Sequence, residues 1–126
     1  MRVLVVESNV AVAQVLSDFV KLCGHVADDT YNGREAIRRL QKSLYEIVIT
    51  DSEIVSVDGV ELCRFIKSNF QDVLVIGMSG YLSTLRDFAD AGADLCLAKP
   101  FAFSKLRVVL DSMAASPDIP GPPPAL

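Results

Sequence analysis

Glu46-Ile47-Val48-Ile49-Thr50-Asp51 is a run of apolar, mostly β-branched residues that ends in an acid. It reads as a strand buried on both faces. A short loop leads to Asp58-Gly59-Val60-Glu61, a capping residue with an acid three positions on, and then to Leu62, Phe65, Ile66 and Phe70 at helical spacing. Strand, loop and capped helix is half of a parallel βαβ unit, and the rest of the chain repeats it. Upstream, Val3-Leu4-Val5-Val6 is a strand. Val12, Leu16, Phe19, Val20 and Cys23 form a helical stripe, with Ser8 or Asn9 able to cap it and Gly24 placed to end it. His25 to Thr30 is a weaker strand. Asn32-Gly33-Arg34-Glu35 repeats the cap pattern ahead of a helix with Ala36, Ile37 and Leu40 on one side and a basic, solvated face.

Downstream, Val73 to Met78 is another buried strand. Tyr81 to Ala91 is a helix ended by Gly92, its stripe Leu82, Leu85, Phe88 and Ala89 assigned to the core with one edge left for a partner. Leu95 to Ala98 is a short strand, and Ser104 to Ala114 a last helix that places Leu106, Val109, Leu110 and Met113 on one face. Five β-α units predict an α/β fold, a three-layer (βα)5 flavodoxin-like arrangement whose five parallel strands run in the order 2-1-3-4-5. Residues 1–115 form this one domain. Residues 116–126 hold five of the six prolines and read as a proline-rich tail or linker.

Composition narrows the function. The chain has 126 residues, enough for one core and too few for two. Hydrophobic residues make up 51% and charged residues 22%, which excludes disorder for the chain as a whole. The net charge of -4 makes direct nucleic-acid binding by phosphate contacts a poor expectation. No apolar run approaches the ~18 residues of a membrane span. Cys23, Cys63 and Cys96 lie far apart beside a single histidine, so neither a disulfide framework nor a zinc site is expected, and buried thiols in a cytoplasmic protein are. The same single histidine leaves no room for a Ser-His-Asp or Cys-His set.

In open parallel sheets, sites form beyond the carboxyl ends of the strands, near the switch in strand order. Glu7 and Ser8 follow the first strand, Asp51 ends the third, Ser79 follows the fourth, and Lys99-Pro100 follows the fifth. Strands one and three are neighbours in the expected order, so Glu7 and Asp51 should lie together. Two close carboxylates repel, and a hard cation such as Mg²⁺ relieves that repulsion. A carboxylate also serves as a nucleophile toward phosphorus, and a lysine and a hydroxyl on the same rim would stabilise the added oxygens. Asp51 alone would be read as a turn residue, Ser79 as a cap and Lys99 as a surface lysine. Their coincidence at matching strand ends changes that reading.

From Met1 to about Ala115 the chain resembles the receiver domain of two-component response regulators, as a divergent member. The resemblance rests on Val5-Val6-Glu7-Ser8, Ile49-Thr50-Asp51, Asp58-Gly59, Met78-Ser79-Gly80, Ala91-Gly92-Ala93 and Lys99-Pro100-Phe101. It implies that Asp51 is the phosphoacceptor, Ser79 the switch hydroxyl and Lys99 the phosphate contact, with a cis Lys99-Pro100 bond. It implies Mg²⁺ held by Glu7, Asp51 and the backbone carbonyl of Glu53. Apart from the resemblance, the Glu53 side chain is a candidate for a further carboxylate at the rim, offsetting the acid missing at Ser8. The implied partners are a sensor histidine kinase or phosphotransfer protein, and an output domain or downstream protein at the face of the fourth helix, fifth strand and fifth helix. That face would also serve a homodimer. Phosphate acceptance and slow self-hydrolysis, without enzymatic turnover, are the chemistry implied.

The sequence departs from the family in three places. Ser8 stands where a second acid usually touches the metal, so Mg²⁺ should bind more weakly. Ile54-Val55 replaces the usual Met-Pro. Cys96 replaces the switch aromatic, for which Tyr81 is a nearby substitute. Gly80 leaves the site open to a partner or to water. Ser8 and Cys96 raise the alternative of a degenerate pseudo-receiver, a protein-docking module independent of phosphorylation. A flavodoxin would share the sheet order, but Glu7-Ser8-Asn9-Val10 is short and acidic where a flavin phosphate would sit. A haloacid-dehalogenase-type phosphatase places its nucleophilic Asp on the first strand with a second Asp two residues on; here Asp51 is on the third and is followed by Glu53.

Overall fold

Strands β1 (Arg2–Val6), β2 (Val26–Thr30), β3 (Ile47–Asp51), β4 (Leu74–Ser79) and β5 (Leu95–Ala98) alternate with helices α1 (Val10–Leu22), α2 (Gly33–Lys42), α3 (Gly59–Asn69), α4 (Leu82–Asp90) and α5 (Phe103–Ala115). This computed structural model describes residues 1–115; the expected proline-rich tail, 116–126, lies outside them. All strand pairs are parallel and the order is β2-β1-β3-β4-β5, as the alternation of elements predicts. The Lys99-Pro100 bond is cis.

Side-chain alternation along the strands feeds two cores. Val3, Val5, Ile47, Ile49, Ile76, Met78 and Leu97 pack with Leu16 and Val20 of α1 and Leu106 and Leu110 of α5. Leu4, Val6, Val48 and Val75 pack with Leu40 of α2, Leu62 and Ile66 of α3 and Phe88 of α4. β3 is buried along its whole length, which accounts for its almost continuous apolar sequence.

Three helices start on side-chain caps. The Asn9 side chain accepts from the Val12 amide (3.1 Å), Asn32 from Glu35 (2.8 Å) and Asp58 from Val60 (2.7 Å). The reciprocal half of the predicted capping boxes does not form. Glu35 instead binds Arg38 at 2.8 Å, and Glu61 binds Arg64 on its own helix. Gly24 has φ +92° just beyond α1, a conformation only glycine adopts without strain.

Helix α4 departs from expectation. Its stripe is not a core face: Leu82 is 66% exposed, Ala89 is exposed and Leu85 is half-buried, while Phe88 is completely buried. The cause lies in β4. A Cβ on Gly77 would fall 2.4 Å from Cγ of Phe88, so the missing side chain is the space the ring occupies. One aromatic seated over a glycine replaces the broader stripe, and burying that ring contributes about 2–3 kcal/mol.

Candidate functional site

The register of the sheet assembles the site. Val6 pairs with Thr50, Asp51 with Met78, and Ser79 with Ala98. Glu7, Asp51, Ser79 and Lys99 therefore reach one rim from four adjoining strands. Glu7, Asp51 and Ser79 are 5%, 7% and 1% exposed. Lys99 Nζ lies 2.8 Å from Asp51 Oδ1 and 3.4 Å from Glu7 Oε1, so one ammonium bridges two buried carboxylates. Burial alone would pull the Lys99 pKa down. The hydrogen bond and charge of Asp51, with Glu7 behind them, outweigh it and hold the group above the ordinary lysine value. The stabilisation from that charge is fully present below the ordinary value and is lost only as pH rises through the folded one.

Each partner is fixed in turn. Glu7 Oε2 accepts from the Asn9 amide at 3.0 Å, which orients the carboxylate across the start of α1. The backbone of Asp51 is held on both sides: Thr50 Oγ1 donates to the Asp51 carbonyl at 2.9 Å, and the Ser52 amide donates to the Met78 carbonyl at 3.0 Å. Lys99 engages Asp51 through Oδ1 rather than Oδ2. Ser79 Oγ accepts from the Tyr81 amide at 3.1 Å and keeps its own proton for donation. A Cβ on the neighbouring Gly80 would meet nothing within 4 Å, so the approach is open there.

Other predicted residues sit differently. Ser8 does not reach into the cluster. Its hydroxyl donates to the Tyr31 carbonyl at 3.1 Å and accepts from the Val55 amide at 2.9 Å. The Glu53 side chain is exposed and lines a recess with Ser52, Asp58, Glu61 and Asp87, between α3 and α4. Among the described residues no three His, Cys, Asp or Glu side chains gather as a metal-binding group, so the Glu53 carboxylate does not join Glu7 and Asp51. Cys96 is partly buried against the α2–α4 core, with Sγ 3.5 Å from the Leu85 carbonyl, and burial raises its pKa. Tyr81 is 63% exposed. In the sequence Gly59 figures in a cap and in the Asp58-Gly59 motif, neither of which shows its packing role: a Cβ there would fall 2.0 Å from the Asp51 carbonyl oxygen. It lets the start of α3 lie directly against the Asp51 backbone.

A buried Asp at the end of the third strand, clamped by a lysine from the fifth and flanked by an acid and a hydroxyl, defines a receiver-type α/β domain. Comparison with known proteins agrees: residues 3–111 match the response regulator receiver domain, and the chain belongs to that family. It is 32% identical over 125 residues to the transcriptional regulatory protein CutR of Streptomyces coelicolor, covering 98% of this chain and 58% of CutR. The chain thus spans little more than half the length of that relative. Among solved structures, a two-component response regulator from Clostridium difficile superposes with a TM-score of 0.87 at 20% identity, over 94% of this chain and 99% of that one, a likeness of fold. The response regulator TrrA from Thermotoga maritima, solved in complex with Mg²⁺ and a beryllium fluoride, gives 0.82 at 26% identity, over 89% of this chain and 97% of that one. No helix among the described residues is long and apolar enough to cross a membrane.

Proposed function

We propose that this domain accepts a phosphoryl group on Asp51 from a histidine kinase or phosphotransfer protein and passes the change to a partner through α4, β5 and α5. The observation that carries the reading is the 2.8 Å contact of Lys99 with buried Asp51 Oδ1, the same ammonium lying 3.4 Å from buried Glu7, on the rim to which the sheet register also brings Ser79. Asp51 Oδ2 attacks the phosphorus of the donor in line, the donor's leaving atom departs with its electron pair, and an aspartyl phosphate results. Lys99 then follows an added phosphoryl oxygen, and the Ser79 proton turns to another. Because Ser79 pairs with Ala98 and leads into α4, that shift is felt at β5 and at the start of α4.

Glu7 and Asp51 suit a hard divalent cation, since both can be reached by one cation, as Lys99 shows, and neither is a soft ligand. With the Glu53 carbonyl they are the residues that would hold Mg²⁺, which neutralises phosphoryl charge when bound. Ser8 contributes a neutral oxygen that is already engaged, so the affinity for Mg²⁺ is low. An apolar recess of about 600 Å³ beside Lys99, lined by Val12, Val15, Pro100, Phe101 and Phe103, offers a phosphodonor protein a surface next to the chemistry. The chemistry ends at acceptance and slow self-dephosphorylation. No observation favours the phosphorylation-independent docking reading.

Beryllium fluoride with Mg²⁺ tests the switch. Amide resonances of Ser79 and Lys99 are expected to shift, with changes spreading into α4, β5 and α5. A spectrum unmoved at saturating concentrations of both would reject the reading.

A further inference from the structure

Ser8 takes the place of an acid, yet its hydroxyl is engaged elsewhere, donating once and accepting once. It gives its proton to Tyr31, just after β2, and receives the amide proton of Val55, in the loop between β3 and α3. Around this junction the β3–α3 loop is stitched to the start of α2. Asn32 and Val55 form a parallel bridge, the Gly33 amide donates to the Val55 carbonyl at 2.9 Å, and the Arg34 amide donates to Ser56 Oγ at 3.1 Å. The approach is close: a Cβ on Gly33 would fall 2.6 Å from Cβ of Val57. Ser56 holds φ +73°, in the left-handed region, so the loop follows a specified path. That path sets where Glu53, two residues before Val55, presents its carbonyl.

We propose that Ser8 is a positioning residue for the β3–α3 loop, its hydroxyl tying the rim of β1 simultaneously to Tyr31 and Val55. This deepens the phosphoacceptor reading and rests on it for its consequence at Asp51. The chemistry selects a hydroxyl, because the junction needs one group that donates to a carbonyl and accepts from an amide. Alanine does neither. An ionised aspartate accepts from Val55 but has no proton for Tyr31, so the acid that would serve a metal directly would break half of the junction. Ile54-Val55 lacks a proline to stiffen the loop, and the Val55 amide that this leaves available is the group Ser8 binds.

The test compares wild type, Ser8→Ala and Ser8→Thr. In metal-free protein the Val55 amide is expected to exchange with solvent about fivefold or more faster in Ser8→Ala and near the wild-type rate in Ser8→Thr. The rate of Asp51 phosphorylation by acetyl phosphate at saturating Mg²⁺ should fall several-fold in Ser8→Ala and recover in Ser8→Thr. Unchanged Val55 exchange in Ser8→Ala overturns the proposal. So does a Ser8→Ala effect confined to the Mg²⁺ concentration for half-maximal rate, which would make Ser8 a metal ligand. If no variant, wild type included, takes up a phosphoryl group, the phosphoacceptor reading fails, and Val55 exchange alone decides the role of Ser8.

Discussion

Gly59→Ala is expected to destabilise the domain by about 3 kcal/mol and to lower its Tm by roughly 10 °C. The added Cβ would lie 2.0 Å from the Asp51 carbonyl oxygen, 2.8 Å from Ser52 Cα and 2.9 Å from the Asp51 carbonyl carbon. All three are backbone atoms, so no side-chain rotation relieves the clash. Either α3 backs away from the sheet or the end of β3 moves. The first opens the core around Val60, Leu62 and Ile66; the second displaces Asp51. Thermal unfolding followed by circular dichroism measures the loss, which is a large share of the ~5–15 kcal/mol that holds an ordinary domain. A variant melting with the wild type would show that the start of α3 does not press on Asp51.

Lys99→Met should slow phosphorylation of Asp51 by about 10²-fold. Methionine keeps much of the length and apolar stem of lysine, so the change removes chiefly the charge. The ammonium is the cation that lies between Glu7 and Asp51, and in the proposed reaction it is the group that follows a phosphoryl oxygen. Lys99→Arg keeps the charge but spreads it over a planar fork and should recover the rate only partly. Initial rates of acetyl phosphate labelling at saturating Mg²⁺ measure both. A Lys99→Met rate within twofold of wild type would remove Lys99 from the phosphate contacts.

The sheet order was legible because each strand is a short apolar run bounded by caps and glycines, and the parallel alternation leaves few topologies. The strand ends carried most of the site for the same reason: Glu7, Asp51, Ser79 and Lys99 each lie at the close of an apolar run, and register does the rest. What the pattern could not show is where loop side chains point. Ser8 reads in the sequence as a lost metal ligand, while in the fold it is a hydrogen-bonded junction. Glu53 lies two residues from Asp51, but it is exposed and lines a recess between α3 and α4. The α4 stripe misled in another way. Helical periodicity counts apolar residues, and it cannot weigh one ring fitted over Gly77 against Leu82 and Ala89 left exposed and Leu85 only half-buried.

Intact mass after incubation with Mg²⁺ and acetyl phosphate is the decisive test of Asp51 as a working phosphoacceptor. A gain of one phosphoryl group is expected in the wild type and none in Asp51→Asn. No gain in the wild type, or an equal gain in Asp51→Asn, would contradict it.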